Sequence, residues 1–475
     1  MNYEQILGQS RLNEFYDSNK SWAVANKIGG DNMWLMLKNA EVMQALEHYK
    51  IAQSYAVSAF RSSTQKFNTT NHLLKAQQSI EVSWNTKIAL SILETIEDFH
   101  IALIDEILES QTHIFQNEIK TYIWDLFQDY KENILGFDMV SVGEMVWAKV
   151  LLKFLEMRDM DAVLLDTSKI TNLSPDTMDA QVTRYIKEKM LEIYTKNPQS
   201  IIIMPGYIGG TESGIIETLG RWYTDYTWAR SAVAMHDTNM FDDVVLYIQK
   251  LYGFCSTDPN KLSWTSSAQA LEALSYDLSE LSVSKYAAGA RLINPFALKA
   301  DIQAKFIEIL VWNPTDTSPV TRISQEGNPD SQWVDLILPR AVYTGDMKEY
   351  KNLHIPALKK NNIISLDPRG TWDNAEQWKK TVEAWEALDP RNLVYMMWEN
   401  LWNISDIFWE ASQILGENDC NFSHYSSNVS WAKPYMVFVF SNEQKADIAL
   451  KLLHKNFIEN TYKTHTMEAA VGSSY

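Results

Sequence analysis

Cysteine is scarce in this chain: Cys255 and Cys420 are two residues in 475, and neither lies in a C-x-x-C pair. That excludes a disulfide framework and a cysteine-built metal module. Long apolar runs are missing as well. No stretch reaches the roughly 18 apolar residues that suggest a membrane span. The opening MNYEQILGQS has neither the basic flank nor the apolar stretch of a secretory leader. The expectation is a cytoplasmic protein with no membrane partner. Positive charge is in deficit, with 42 Lys and Arg against 60 Asp and Glu, a net charge of −18. Such a surface repels a polyanion, so nucleic acid is not an expected partner. The common signatures of nucleotide, hydrolase and zinc chemistry are absent: no GxxxxGK followed by Ser or Thr, no GxGxxG, no GxSxG, no HExxH. The nine histidines show no metal-ligand spacing, so each reads as structural and no protein-built metal site is expected.

What remains is a globular composition, 46% hydrophobic and 21% charged, long enough for two to four domains. Seventeen tryptophans are many; Trp34, Trp84, Trp124, Trp147 and Trp312 fall inside apolar patterns and read as core or interface side chains. An acidic protein that binds acidic small molecules must gather its cations locally, which makes a Lys or Arg in a glycine loop informative. The stretch 204–259 is the most informative part. A buried strand, Ser200–Met204, breaks at Pro205-Gly206 into a loop holding Gly209, Gly210 and Gly214. The chain passes through Leu219-Gly220-Arg221 to a helix opening at Thr224-Asp225. It then runs through a second apolar strand, Val244–Ile248, to Thr257-Asp258-Pro259. Loops between strand and helix are where α/β sheets hold ligands. A helix start offers free N–H groups to an anion.

Nearer the start, Lys27-Ile28-Gly29-Gly30 ends a short strand before a helix, Trp34–His48. The glycines let the backbone approach a phosphate and Lys27 adds a point charge, although a plain surface turn reads the same way. A strand at Tyr55–Ala59 leads to Thr69-Thr70 and a helix from Leu73. The run from Ser79 to Tyr130 is helical, with Ile88, Ile92, Ile96, Phe99, Leu103 and Ile107 at three- and four-residue spacing. It reads as two or three packed helices with no chemistry. Ser141-Val142-Gly143-Glu144 precedes an amphipathic helix, Met145–Leu155, and a strand follows at Ala162–Asp166. A carboxylate on such a turn pairs with an ammonium group, or simply decorates a helix start.

Taken in this order the pieces resemble the aspartokinases of the amino-acid kinase family: K-x-G-G, the Thr-Thr pair, S-x-G-E, P-G-x-x-G, L-G-R ahead of a helix-start aspartate, then T-D-P. The resemblance implies a mostly parallel α/β amino-acid kinase domain over 1–300, with a helical insertion near 79–135. Tandem α+β ACT-like regulatory domains would follow over 301–475. It implies phosphorylation of the side-chain carboxylate of L-aspartate by ATP with Mg²⁺. In that reading Lys27, Asp225 and Arg291 serve catalysis. Thr69, Thr70, Ser141, Glu144, Arg221, Thr224 and Asp225 hold the amino acid. Lys27, Gly29, Gly30, Gly206, Gly209, Gln249, Lys250, Thr257 and Asp258 face the nucleotide. A homodimer or larger homo-oligomer, with an amino-acid effector at the ACT-like part, goes with the same resemblance.

Departures from the family pattern fall mostly on the nucleotide side. Asp31 and Asn32 replace a hydroxyl pair, and a carboxylate there repels phosphate unless Mg²⁺ lies between them. Trp222 replaces a glycine next to Arg221. Asn260 replaces an arginine, and Asn294 a histidine. Two main readings therefore stand, an aspartate kinase or a catalytically degenerate homologue that keeps an amino-acid pocket and serves regulation or assembly; a third is a kinase for another amino acid, with Trp222 reshaping the pocket.

Overall fold

The computed structural model describes residues 20–62, 66–135, 138–171, 173–174, 177–209, 223–249, 256–257, 293, 305, 307–312, 321–323, 333–337, 342–344, 357–360, 363–366, 386–399, 404–428 and 435–459. The chain divides into two compact units, one of Met1–Leu251 with Ile307–Ser318, the other of Tyr252–Phe306 with Pro319–Tyr475.

The first unit is built on parallel strands: β1 (Trp22–Ile28), β2 (Ala52–Val57), β3 (Ala162–Leu164), β4 (Ile201–Pro205), β5 (Asp243–Gln249) and β6 (Glu308–Trp312). They lie in the order β3-β4-β2-β1-β5-β6, every pairing parallel. The middle strands β1, β2, β4 and β5 are buried along almost their whole length, as expected of a parallel sheet covered on both faces. Strand β6 adds to this sheet beside β5, although it lies beyond the 1–300 span expected of the first domain.

Helices α1 (Met36–His48) and α5 (Met139–Glu156) cover one face; α6 (Met178–Lys196) and α7 (Tyr223–Asp237) pack together and supply the other. Strand alternation sorts the side chains between them. Ile28 enters the core with Met36, Met43, Trp147 and Ile201, while its neighbour Lys27 turns toward α7. Beyond the first face lie α2 (Thr69–Ser83), α3 (Thr86–Ile107) and α4 (His113–Glu132), which pack with α5 into a helical layer. Each helix of that layer starts on a side chain able to cap it. Asn68, Asn85, Thr112 and Asp138 accept from the N–H of Asn71, Ile88, Phe115 and Val140 at 3.0, 3.2, 3.3 and 3.0 Å. Such caps contribute about 1 kcal/mol apiece.

Of the tryptophans read as core or interface side chains, Trp147 is wholly buried, whereas Trp34, Trp84 and Trp124 are exposed in the single chain and so take no part in its described core. Trp84 ends α2 in the left-handed region at φ 52°, where its side chain leaves the helix bundle for solvent.

The second unit holds two antiparallel sheets. One is formed by β7 (Trp333–Ile337), β12 (Leu393–Glu399), β14 (Tyr435–Phe440) and β13 (Phe422–Asn428), in that order. Helices α8 (Ile404–Glu417) and α9 (Glu443–His454) pack on it around Val394, Ile407, Phe438 and Leu450. The other consists of β9 (Ala357–Lys360), β10 (Ile363–Leu366), β8 (Val342–Thr344) and β11 (Glu386–Leu388).

Candidate amino-acid and phosphate site

The site lies at the carboxyl end of the parallel sheet, where β1, β2 and β4 release their chains. Backbone bonds tie these exits together: Ser58 N–H donates to Ile28 O at 3.0 Å, and Gly206 N–H to Val57 O at 2.8 Å. Gly206 allows α7 to start directly against the end of β4. A Cβ at Gly206 would lie 2.4 Å from Thr224 Cγ2, inside any tolerable contact. Thr227 Oγ1 then donates to Gly206 O at 2.6 Å, and the Trp228 indole donates to Ala25 O at 2.9 Å, so the first two turns of α7 are pinned to the sheet. A second clasp comes from Thr167, whose hydroxyl lies 2.7 Å from the carbonyl oxygens of both Pro205 and Tyr207.

This packing brings together four of the side chains read as functional. The Lys27 ammonium group forms an ion pair with Asp225, and both are buried. Thr224 Oγ1 donates to Glu144 Oε1 at 2.8 Å, while Glu144 Oε2 finds no partner among the described residues. Burial pushes the Glu144 carboxyl up to about 8, against the opposing pull of the Thr224 hydroxyl, the Ala59 backbone and the charge of Lys27. At neutral pH Glu144 is therefore mostly protonated. A carboxyl with one uncommitted oxygen in a buried wall is ready to ionise for an arriving cation. Thus one ammonium, one carboxylate and one latent carboxylate sit at a sheet end beside a helix N-terminus. That set can hold a ligand carrying both signs of charge.

Other predicted residues fall in varied places. Glu144 sits inside the first two turns of α5, because that helix starts at Met139, earlier than its apolar pattern indicates. Ser141 donates to Asp138 O at 2.7 Å, within its own helix start. Thr69 is wholly buried and 3.1 Å from His100 Nε2, whereas Thr70 is half-buried on the same first turn of α2. The cap of that helix is Asn68, not either threonine. Gly29 and Gly30 bracket the start of a 3-10 turn, Gly30–Leu35, and Gly209 N–H donates to Thr167 O at 3.2 Å. Gln249 is buried, with its amide donating to Asn39 Oδ1 at 2.6 Å and its backbone oxygen accepting from Asn32 at 3.1 Å. Thr257 is buried in the second unit. Arg221, Trp222, Lys250, Asp258, Asn260, Arg291 and Asn294 lie outside the described residues, as does the side chain of Asp31. Among the described residues no group of His, Cys, Asp and Glu could hold a metal ion, and no helix is long and apolar enough to cross a membrane.

Sequence reasoning missed Asp138, Tyr207 and His100. The Tyr207 hydroxyl bonds to the Asp138 carboxylate, and burial first, then Asp138, raises its pKa. Asp138 had a visible signal as the polar residue ahead of an apolar helix. His100 had none, being one apolar-face position among many.

The fold and this arrangement define an α/β protein with a parallel sheet covered on both faces and a cluster of buried ionisable side chains at its carboxyl end. No protein-family model matches the chain. In sequence it is similar to curated aspartokinases. It is 22% identical to the aspartokinase of Schizosaccharomyces pombe over 327 residues, 66% of this chain and 58% of that one. It is 24% identical to lysine-sensitive aspartokinase 3 of Escherichia coli over 182 residues, 38% of each. The chain thus matches less than two thirds of the length of these relatives. Among solved structures it superposes on E. coli aspartokinase III in complex with aspartate and ADP, with a TM-score of 0.61 at 17% identity, covering 92% of this chain and 99% of the other. The likeness to aspartokinases inferred from the motifs is therefore borne out, at the distance of a divergent relative.

Proposed function

We propose that this protein is an aspartate kinase. The observation that carries the reading is the buried quartet of Lys27, Asp225, Glu144 and Thr224 at the sheet end, the first three at motif positions of the resemblance. The α-ammonium group of L-aspartate would approach Glu144 Oε2 and draw off its proton, giving a charge-assisted pair beside Thr224. The positive dipole end at the start of α7 favours a carboxylate, with Arg221 the expected partner from the resemblance. Bound MgATP supplies the phosphoryl group. One oxygen of the aspartate side chain forms a bond to the γ-phosphorus as the bond from that phosphorus to the ADP oxygen breaks; aspartyl phosphate and ADP leave. Such transfer needs positioning and charge neutralisation more than covalent help from the protein. Lys27 is placed for neutralisation, with Asp225 fixing its ammonium group until phosphate oxygens compete for it. Gly30 and Gly206 keep the surrounding backbone close. Support also comes from the E. coli structure, whose complex holds aspartate and ADP.

One observation favours the second reading, a degenerate homologue that binds an amino acid only. Gln249, at a position read as nucleotide-facing, commits its amide N–H to Asn39 on α1. Separate calorimetric titrations with MgATP and L-aspartate, followed by hydroxamate trapping of acyl phosphate, distinguish the two. Binding of both ligands with trapped product supports the kinase. Aspartate binding with no MgATP binding and no product assigns the second reading. The antiparallel sheets of the second unit are taken as tandem ACT-like domains that receive an amino-acid effector within a homodimer or larger assembly, in a cytoplasmic protein.

A further inference from the structure

His100 is a histidine that the proposed chemistry does not use. It projects from α3 in the helical layer and is wholly buried. Its Nε2 lies 3.1 Å from Thr69 Oγ1 and 3.4 Å from the indole nitrogen of Trp147. An indole N–H can only donate, so Nε2 must accept. The ring proton of a neutral imidazole then resides on Nδ1, and the Thr69 hydroxyl, the nearer of the two donors, shares the single Nε2 lone pair with the more distant indole N–H. Nδ1 has no partner among the described residues. Phe60, Phe67, Phe99, Phe127 and Trp147 surround the ring, and burial lowers its pKa to about 3, so it stays neutral at any ordinary pH.

Thr69 passes this order on. With its hydroxyl held by His100 and its backbone N–H donating to Phe60 O at 3.3 Å, its methyl group faces Gly143. A Cβ at Gly143 would stand 2.9 Å from both Thr69 Cγ2 and Ala59 Cβ, so α5 meets α2 and the end of β2 without slack. Glu144 is the next residue. We propose that His100 is a positioning residue. Locked in its Nδ1–H form, it fixes Thr69, and Thr69 fixes the approach of Gly143 that aims the Glu144 carboxyl. Thr69 thus acts from behind the wall instead of touching the ligand.

The kinetic arm of the test rests on the aspartate kinase reading; the spectroscopic arm does not. In the full-length protein with ¹⁵N-labelled histidine, His100 should show a protonated Nδ1 and an unprotonated Nε2 at neutral pH. Thr69→Val should shift the Nε2 signal. His100→Leu fills the site without an acceptor, whereas the amide oxygen of His100→Gln reaches the place of Nε2. His100→Leu and Thr69→Val should raise KM for aspartate about tenfold and leave KM for MgATP within about twofold, and His100→Gln should stay within about threefold of wild type. An Nε2–H signal overturns the proposal. So does equal impairment by Gln and Leu, or a parallel rise in both KM values, since a packing role predicts those. If wild type shows no turnover, the kinase reading fails separately, and the tautomer with its response to Thr69→Val still decides. If His100→Leu does not fold, Thr69→Val carries the kinetic comparison.

Discussion

Glu144 shows how a single buried carboxyl links pH to both stability and binding. Its folded pKa of about 8 stands above the ordinary value of 4.5, so between those values the folded protein keeps a proton that the unfolded chain releases. The associated stability is fully present below 4.5 and is lost as pH rises through 8. Glu144→Gln removes this dependence. The variant should exceed wild type by roughly 2–4 kcal/mol at pH 9, with the gap closing toward pH 5, in denaturant melts at the two pH values. The same shift predicts proton release on aspartate binding. Calorimetry at pH 7 in buffers of different ionisation enthalpy should give up to about one proton per ligand. Lys27 presents the complementary case. Lys27→Met strips the cation from a fully buried Asp225 and should cost about 3 kcal/mol, more than the Lys27→Met, Asp225→Asn double variant does. Equal losses from the two would mean that the pair is not coupled.

At the scale of elements, the start of α7 controls the site. Gly206 lets Thr224 sit where its hydroxyl reaches Glu144, and a methyl group at residue 206 would occupy the space of the Thr224 side chain. Gly206→Ala should therefore force Thr224 from its rotamer, destabilise the fold by about 1–3 kcal/mol and weaken aspartate binding. A melt and a titration on the same variant check this; an unchanged aspartate affinity would show that the Thr224 contact is dispensable. Which elements exist was largely legible. The buried runs at 201–204 and 244–248 read as parallel strands, and the three- and four-residue spacing from Ile88 to Ile107 read as helix. Boundaries were less so. The helix carrying Ser141 and Glu144 begins at Met139 because Asp138 caps it, and periodicity alone does not register a cap.

At the scale of the whole chain, two units with separate cores offer separate responses to ligands. L-Aspartate should slow amide exchange in segments 139–146, 201–208 and 223–230 of the first unit. On the proposed ACT-like reading, an amino-acid effector should act instead on 393–399 and 435–440 of the second, as measured by exchange mass spectrometry with candidate amino acids in turn. Protection of the first unit by neither aspartate nor MgATP would remove the amino-acid and phosphate site from that unit.

The sequence by itself determined the main strands and helices that carry the site, and the positions of Lys27, Glu144 and Asp225 at their ends. Those depend on local periodicity and on residues with special backbone or charge properties, which a linear chain displays. Only the tertiary structure decided that Glu144 is buried enough to hold its proton, that Gln249 turns inward and that Trp84 faces solvent. It also revealed His100 behind Thr69. These are matters of burial and of contacts between residues far apart in the chain, and they arise only when helices and sheet pack together.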